Sequence, residues 1–317
     1  MSKTIFIIFV LILQLFAKDI SPLYTLRSDG EILAILVQDG KIYASTDSSV
    51  VDIFDIKSRK KEKVIKFDKI KDFLGDISDT RIFSVDKMGN LLLFASQGEE
   101  GFSRLYLYDG KKKSLIFDKK DKLPIVKAKF ITKNRILVAL LSSQVLLYDL
   151  KSKKFIYKKQ ISESKFSDFE LNSDKSKMVL VDESGSATLL RTMDGKIIKV
   201  YKGQNLDNVY KVDYKNHTIA VASKDRRCGI YKDNSQEAYH KKAKFIVYSV
   251  GLSPDGKLCA YPSDFSNNIT VFDVDTKENI YKLAGGKSTI SNIVFVSNSE
   301  IFTTSKDKIK FWKLMEN

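Results

Sequence analysis

Apolar and polar residues alternate with a period of two along most of this chain, in short runs separated by Gly, Asn, Asp, Ser and Lys. A two-residue period places every second side chain on one face, so the pattern predicts β-strands rather than helices. Segments ending in an aromatic and a polar residue recur: VDIFDI (51–56), LYLYDG (105–110), VLLYDL (145–150), ATLLRT (187–192), CGIYKD (228–233), ITVFDV (269–274) and IKFWKL (309–314). Their equivalent positions Phe54, Tyr108, Tyr148, Leu190, Tyr231, Phe272 and Trp312 are 54, 40, 42, 41, 41 and 40 residues apart. A repeat of about 40–45 residues is the length of a four-stranded unit. The sixth unit shows the four strands in order: IVYSVGL, a turn SPDGK, then LCAYPS, NITVFDV and ENIYKLA. Beyond the N-terminus, the only stretch with a helical pattern is Lys69 to Leu74.

Seven third strands are followed by only six complete fourth strands. The missing one is expected from Pro22 to Arg27 (PLYTLR), which would complete the unit of Trp312 and close a ring, leaving no unpaired strand edge. The expected fold class is therefore all-β: a seven-bladed β-propeller of four-stranded antiparallel blades, its last blade closed by the N-terminal strand. The chain beyond Ala17 supplies about 43 residues per blade, so 18–317 reads as one domain.

The aromatic-Asp pairs Phe54-Asp55, Tyr108-Asp109, Tyr148-Asp149 and Phe272-Asp273 stand where WD40 repeats carry Trp-Asp, and Ser223-Lys224-Asp225 and Ser305-Lys306-Asp307 resemble that family's turn before the third strand. On these residues the chain resembles WD40-type β-propellers, although Gly-His pairs are absent and the fourth and fifth units are irregular. The resemblance implies radial four-stranded blades and a surface suited to protein partners.

Residues 1–17 (MSKTIFIIFVLILQLFA) have a cation at Lys3, an apolar run and a small residue at Ala17, the layout of a secretory signal peptide too short to span a membrane. The expectation is export, cleavage near Ala17, a periplasmic location and no stable membrane insertion afterwards. The 317 residues carry 54 Lys+Arg against 39 Asp+Glu, a formal net charge of +15. The clusters Arg59-Lys60-Lys61, Lys111-Lys112-Lys113 and Lys151 to Lys154 follow third strands and so share one face, with Lys158-Lys159 and Lys241-Lys242 on outer strands. Lysine at edges and turns keeps strands from pairing with other chains. Without interleaved Arg or aromatics these clusters do not argue for nucleic acid.

Two Cys and two His leave little for metal binding or His-dependent catalysis. Asp47, Asp225, Asp264 and Asp307 sit in turns between second and third strands, where Asp accepts hydrogen bonds from its own turn; a cation site would need their oxygens to converge. His217 and His240 lie apart and read as surface residues. Cys228 and Cys259 fall in adjacent blades, as buried thiols or as a disulfide pair. The long first interval places extra chain at Ile65 to Arg81 and at Gln97 to Ser103, either recognition loops or plain elaboration. No catalytic, cofactor-binding or metal-binding residue is singled out.

These observations favour a monomeric, non-catalytic protein-binding factor of the periplasm. Size, export, scarce His and Cys, and irregular blades also resemble the NapL accessory proteins encoded with some periplasmic nitrate reductases, which implies a nitrate reductase component as partner, help with that enzyme's assembly or activity, and no bound cofactor. The competing reading is a propeller enzyme. A lactonase-like hydrolase would need a cation in the central channel, and a quinoprotein would need vicinal Cys and repeated Trp. An outer-membrane assembly factor would need a lipidation Cys, which is lacking after the apolar run.

Overall fold

The computed structural model describes residues 17–71, 74–286 and 288–315. The signal peptide expected at residues 1–17 lies, except for Ala17, outside the described residues. Seven sheets follow one another in the chain, each with strands a to d from first to last. The a-strands are Ile32–Gln38, Ile82–Met88, Ile125–Thr132, Phe166–Leu171, Val209–Lys215, Gly251–Leu252 and Asn292–Phe295. In blades 1 to 6 the neighbours run a-b-c-d, all antiparallel, to outer strands such as Lys60–Lys66 and Lys154–Gln160.

Blade 7 has three strands from its own repeat, ending with Lys308–Lys313, and its fourth from the other end of the chain. Tyr24–Arg27 pairs antiparallel with that strand in the register Tyr24 with Phe311 to Arg27 with Lys308, as the incomplete last unit requires. A second tie was not expected: Lys18–Ile20 adds a fifth, parallel strand to the outer edge of blade 6, from Lys18 opposite Tyr281 to Ile20 opposite Leu283. Three residues are too few to carry a readable alternation.

The core is divided into seven clusters, each filling the space between two neighbouring blades. One, for example, joins Val179, Leu189 and Tyr201 of blade 4 to Val212, Tyr214 and Tyr231 of blade 5. The cluster between blades 7 and 1 includes Leu26 of the closing strand with Phe302, Ile309, Ile32 and Phe54. Blade sheets are covered on both faces, which is why b- and c-strands such as RILVAL and QVLLYD are nearly continuously apolar. All seven repeat positions are buried, and Trp312 Nε1 donates to Thr303 Oγ1 at 2.9 Å.

The Asp after the aromatic has a local task. The carboxylates of Asp109, Asp149 and Asp273 accept from backbone N–H groups two and three residues on, at 2.8 to 3.0 Å, and that of Asp55 accepts from the N–H of Ser58 at 2.7 Å. Each folds the turn between strands c and d, the role for which Asp is preferred in turns. The Ser58 side chain and then its amide hold the Asp55 carboxyl below its ordinary pKa, and the turn amides hold those of Asp109 and Asp149 below theirs.

The described residues of Lys69 to Leu74 form no helix. Ile70–Lys71 pairs with Ile77–Ser78 in a small hairpin whose Ile70 is buried, while Leu74 and Ile77 are exposed. Burial of Ile70 and Phe67 against blades 1 and 2, together with Thr80 Oγ1 donating to the Asp68 carbonyl at 2.6 Å, wins over a helical preference too short to nucleate.

Candidate functional site: the central channel and its aromatic rim

Because every a-strand lines the axis of the ring, the residues chosen at these seven strands decide what the channel contains. They enclose a cavity of about 360 Å³. Its wall is divided. Blades 3, 4 and 5 supply Lys127, Lys129, Asp168, Glu170, Lys211, Asp213 and Lys215; blades 1, 2 and 7 supply mostly Ala34, Ile35, Leu36, Val37, Phe83, Val85, Ile293, Val294 and Phe295. Ser249, Ser291 and Asn292 add polar atoms between the halves.

Among the described residues each carboxylate of the charged half has three partners. Asp168 Oδ1 accepts from Lys127 Nζ at 2.7 Å and from its neighbour Phe169 N at 2.9 Å, while Oδ2 accepts from Val212 N of blade 5 at 3.2 Å. Glu170 takes Lys129 and the N–H of Leu171, with Lys127 Nζ at 3.6 Å. Asp213 receives Leu252 N of blade 6 and Tyr214 N, each at 2.8 Å, with Lys215 at 3.2 Å. Asp86 of blade 2 likewise accepts Phe130 N of blade 3 at 2.7 Å. Three a-strand carboxylates thus staple one blade to the backbone of the next.

Burial alone would favour the neutral forms here. It pushes Glu170 up, but Lys129, Lys127 and Lys215 outweigh it and hold the carboxyl well below its ordinary value. For Lys127 burial acts downward and the carboxylates of Asp168 and Glu170 win, raising its pKa. Lys211 is the exception. Among the described residues its ammonium has no ion pair and no hydrogen bond, and burial, opposed by Asp168 and reinforced by Lys127, pulls its pKa down.

At the end of the channel that carries the b-to-c turns and the d-to-a connections lies a run of partly exposed aromatics. Tyr210, which precedes Lys211, stacks on Tyr248 at 5.2 Å; Phe245 lies 6.5 Å from Tyr248 and 5.7 Å from Phe265. Phe265 is 72% exposed, Leu206 66% and Phe245 38%. Phe265 sits in the turn SDFSN, where polar residues are the rule.

The aspartates raised from sequence lie in the b-to-c turns at this same end, Asp264 next to Phe265. Asp47 Oδ1 accepts from Glu31 N at 2.9 Å, Asp225 Oδ2 from Leu206 N at 2.8 Å, Asp264 Oδ1 from Ser266 N and Asn268 N at 3.0 Å, and Asp307 pairs with Arg27 at 2.7 Å. Each fixes a turn or ties it to an adjoining segment, and among the described residues no three His, Cys, Asp or Glu converge as metal ligands. His217 is exposed but not idle: its Nδ1 lies 2.6 Å from Oδ1 of the buried Asp233, which also takes Lys177 Nζ at 3.0 Å and the Tyr214 hydroxyl. His240 is half-buried with Nδ1 2.8 Å from Gln204 Oε1. Neither lines the central cavity.

The lysine clusters do share the face of the c-to-d turns, and several of their members are engaged within the protein. Lys61 pairs with Asp29 and Asp52, Lys113 lies 4.3 Å from the Phe67 ring centroid, Lys158 4.0 Å from Phe155, and Lys241 5.3 Å from Phe272. Aliphatic stems cover the aromatic edges of the outer strands while the ammonium meets the ring face.

Cys228 and Cys259 are both buried and unbridged, their sulfurs 3.8 Å apart between blades 5 and 6. Burial raises the Cys259 thiol well above its ordinary pKa. A disulfide needs an S–S distance near 2.05 Å, so the expected result of thiol counting without reductant is no reaction in the native protein and two thiols after denaturation. Zero thiols after denaturation would show a bridge.

No protein-family model matches the chain, and no curated protein matches it. Among solved structures it is similar to the crystal structure of the Myceliophteria thermophila Cps50 (Swd1) β-propeller domain, with a TM-score of 0.72 and 14% sequence identity over 93% of this chain and 99% of that one. At that identity the likeness speaks for architecture alone, and the architecture is a seven-bladed β-propeller.

Proposed function

We propose that this chain is a non-catalytic protein-binding scaffold whose partner docks on the aromatic rim formed by Tyr210, Tyr248, Phe245, Phe265 and Leu206. The observation that carries this reading is the unbroken run of ring contacts from Tyr210 through Tyr248 and Phe245 to Phe265, with Phe265 largely exposed and Leu206 exposed at the same end. Contiguous exposed aromatics on a rigid frame mark interaction sites, and aromatic anchors dominate binding energy. We place its action in the periplasm, as a factor assisting assembly or activity of a respiratory enzyme such as nitrate reductase. That placement rests on the signal-like residues 1–17 and on the NapL resemblance. The lactonase-like alternative finds no support in the channel, where the carboxylates a cation would need already hold lysines and backbone amides.

Tagged protein recovered from a periplasmic extract should enrich one respiratory enzyme, and Phe245→Asp/Phe265→Asp should weaken binding to that enzyme by about 30-fold or more. Equal binding by the double variant would move the interface off the rim. Enrichment of no respiratory component would defeat the accessory role.

A further inference from the structure

We propose that the central channel is a binding site for a small amphipathic carboxylate, with its head on Lys211 and its apolar body against blades 1, 2 and 7. The seven ionisable side chains lining the cavity are four lysines (127, 129, 211, 215) and three acids (Asp168, Glu170, Asp213), leaving one positive charge. The local pairing shows which cation is in excess. Lys127, Lys129 and Lys215 each hold a carboxylate, and Lys211 holds none.

A lysine surrounded by protein is ordinarily paired, because leaving its charge without a partner costs free energy that folding alone does not recover. Lys211 is directed into a cavity large enough for a ligand rather than into packed side chains. Burial lowers its pKa despite Asp168 and Glu170 nearby, so a ligand that brings a negative charge gains what the protein has left unsatisfied. A cation gains less, since the carboxylates of Asp168, Glu170 and Asp213 each already hold a lysine and a backbone N–H.

The rest of the wall selects the body of the ligand. Opposite the charged blades the cavity presents Ile35, Val37, Phe83, Val85, Ile293 and Phe295, a surface that offers a short hydrocarbon chain or ring burial and offers a bare inorganic anion nothing. Apolar lining with a few convergent polar groups is the usual make-up of a small-molecule site.

The test is calorimetric titration of the intact protein with hexanoate, acetate, hexanol and hexylamine, each up to about 10 mM. Hexanoate is expected to bind saturably, acetate at least about ten-fold more weakly, and hexanol and hexylamine with no measurable saturation. Lys211→Met should lose about ten-fold or more in hexanoate affinity without lowering the melting temperature, because the ammonium removed is partly exposed and holds no partner. Lys158→Met, on the outer strand of blade 3, should bind hexanoate as the unmodified protein does. Absence of saturable hexanoate binding, equal affinity in Lys211→Met, or equal affinity for hexanol would each overturn the proposal.

Discussion

Removing Lys18–Arg27 lowers the melting temperature by about 10 °C or more, or leaves the protein insoluble. The deleted residues bury Ile20 and Leu26, which together contribute about 3–6 kcal/mol, and in a chain of this size each kcal/mol moves the midpoint by about 2 °C or more. They also supply the fourth strand of blade 7, so deletion uncovers Lys308–Lys313 as an unpaired edge. The loss spreads beyond that edge, because Asp52 of blade 1 accepts from Ser28 Oγ at 2.5 Å and from Asp29 N at 2.7 Å just after the closing strand. Circular dichroism melts of chains spanning 18–317 and 28–317 decide the matter. Melting points within a degree or two of each other would mean that closure adds nothing.

Asp168→Ala is expected to cost about 3–5 kcal/mol in denaturant unfolding, the range for removing one partner of a buried ion pair. Four consequences fall together: Lys127 loses its closest carboxylate, the Val212 amide loses its acceptor, blades 4 and 5 lose their staple, and Lys211 loses the nearest charge that balances it. Asp168→Asn keeps an acceptor for the Val212 amide but not the charge, so it should fall between Ala and the unmodified protein. A cost below about 1 kcal/mol for Asp168→Ala would place it among ordinary surface substitutions and remove the staple from the account.

The blades were legible because each repeat satisfies the same demand. An aromatic must fill the gap between neighbouring sheets, and an Asp must turn the chain just after it, so Phe54-Asp55, Tyr148-Asp149 and Phe272-Asp273 recur at nearly constant spacing. The closing strand was legible by arithmetic, since seven c-strands and six d-strands leave one place for Tyr24–Arg27. The channel was not. Lys127 and Lys129, Asp168 and Glu170, and Lys211, Asp213 and Lys215 alternate along their strands just as solvent-facing residues do at a sheet surface. A usable signal was present: these a-strands sit at the start of repeats whose other inner strands, such as AILV at 34–37, are apolar, and their charges are concentrated in three consecutive units. The partnership of His217 with Asp233 was hidden for a different reason. It joins the a-to-b turn to the end of strand c, 16 residues on, and only the folded blade brings the two together. The rim aromatics were overlooked because an isolated Phe in a turn carries no period.

The closing contact also sets a schedule for folding. Arg27 and Asp307 meet across a sequence separation of 280, whereas pairings within a blade join residues close in sequence. Blades 1 to 6 can therefore assemble progressively, but the ring cannot lock until the last unit exists, and until then the closing strand Tyr24–Arg27 has no partner. Such a separation is the slow, aggregation-exposed step in β-rich chains. The closing strand stays unpaired until the last repeat is in place, and the final rigidity of the ring arrives in one late event.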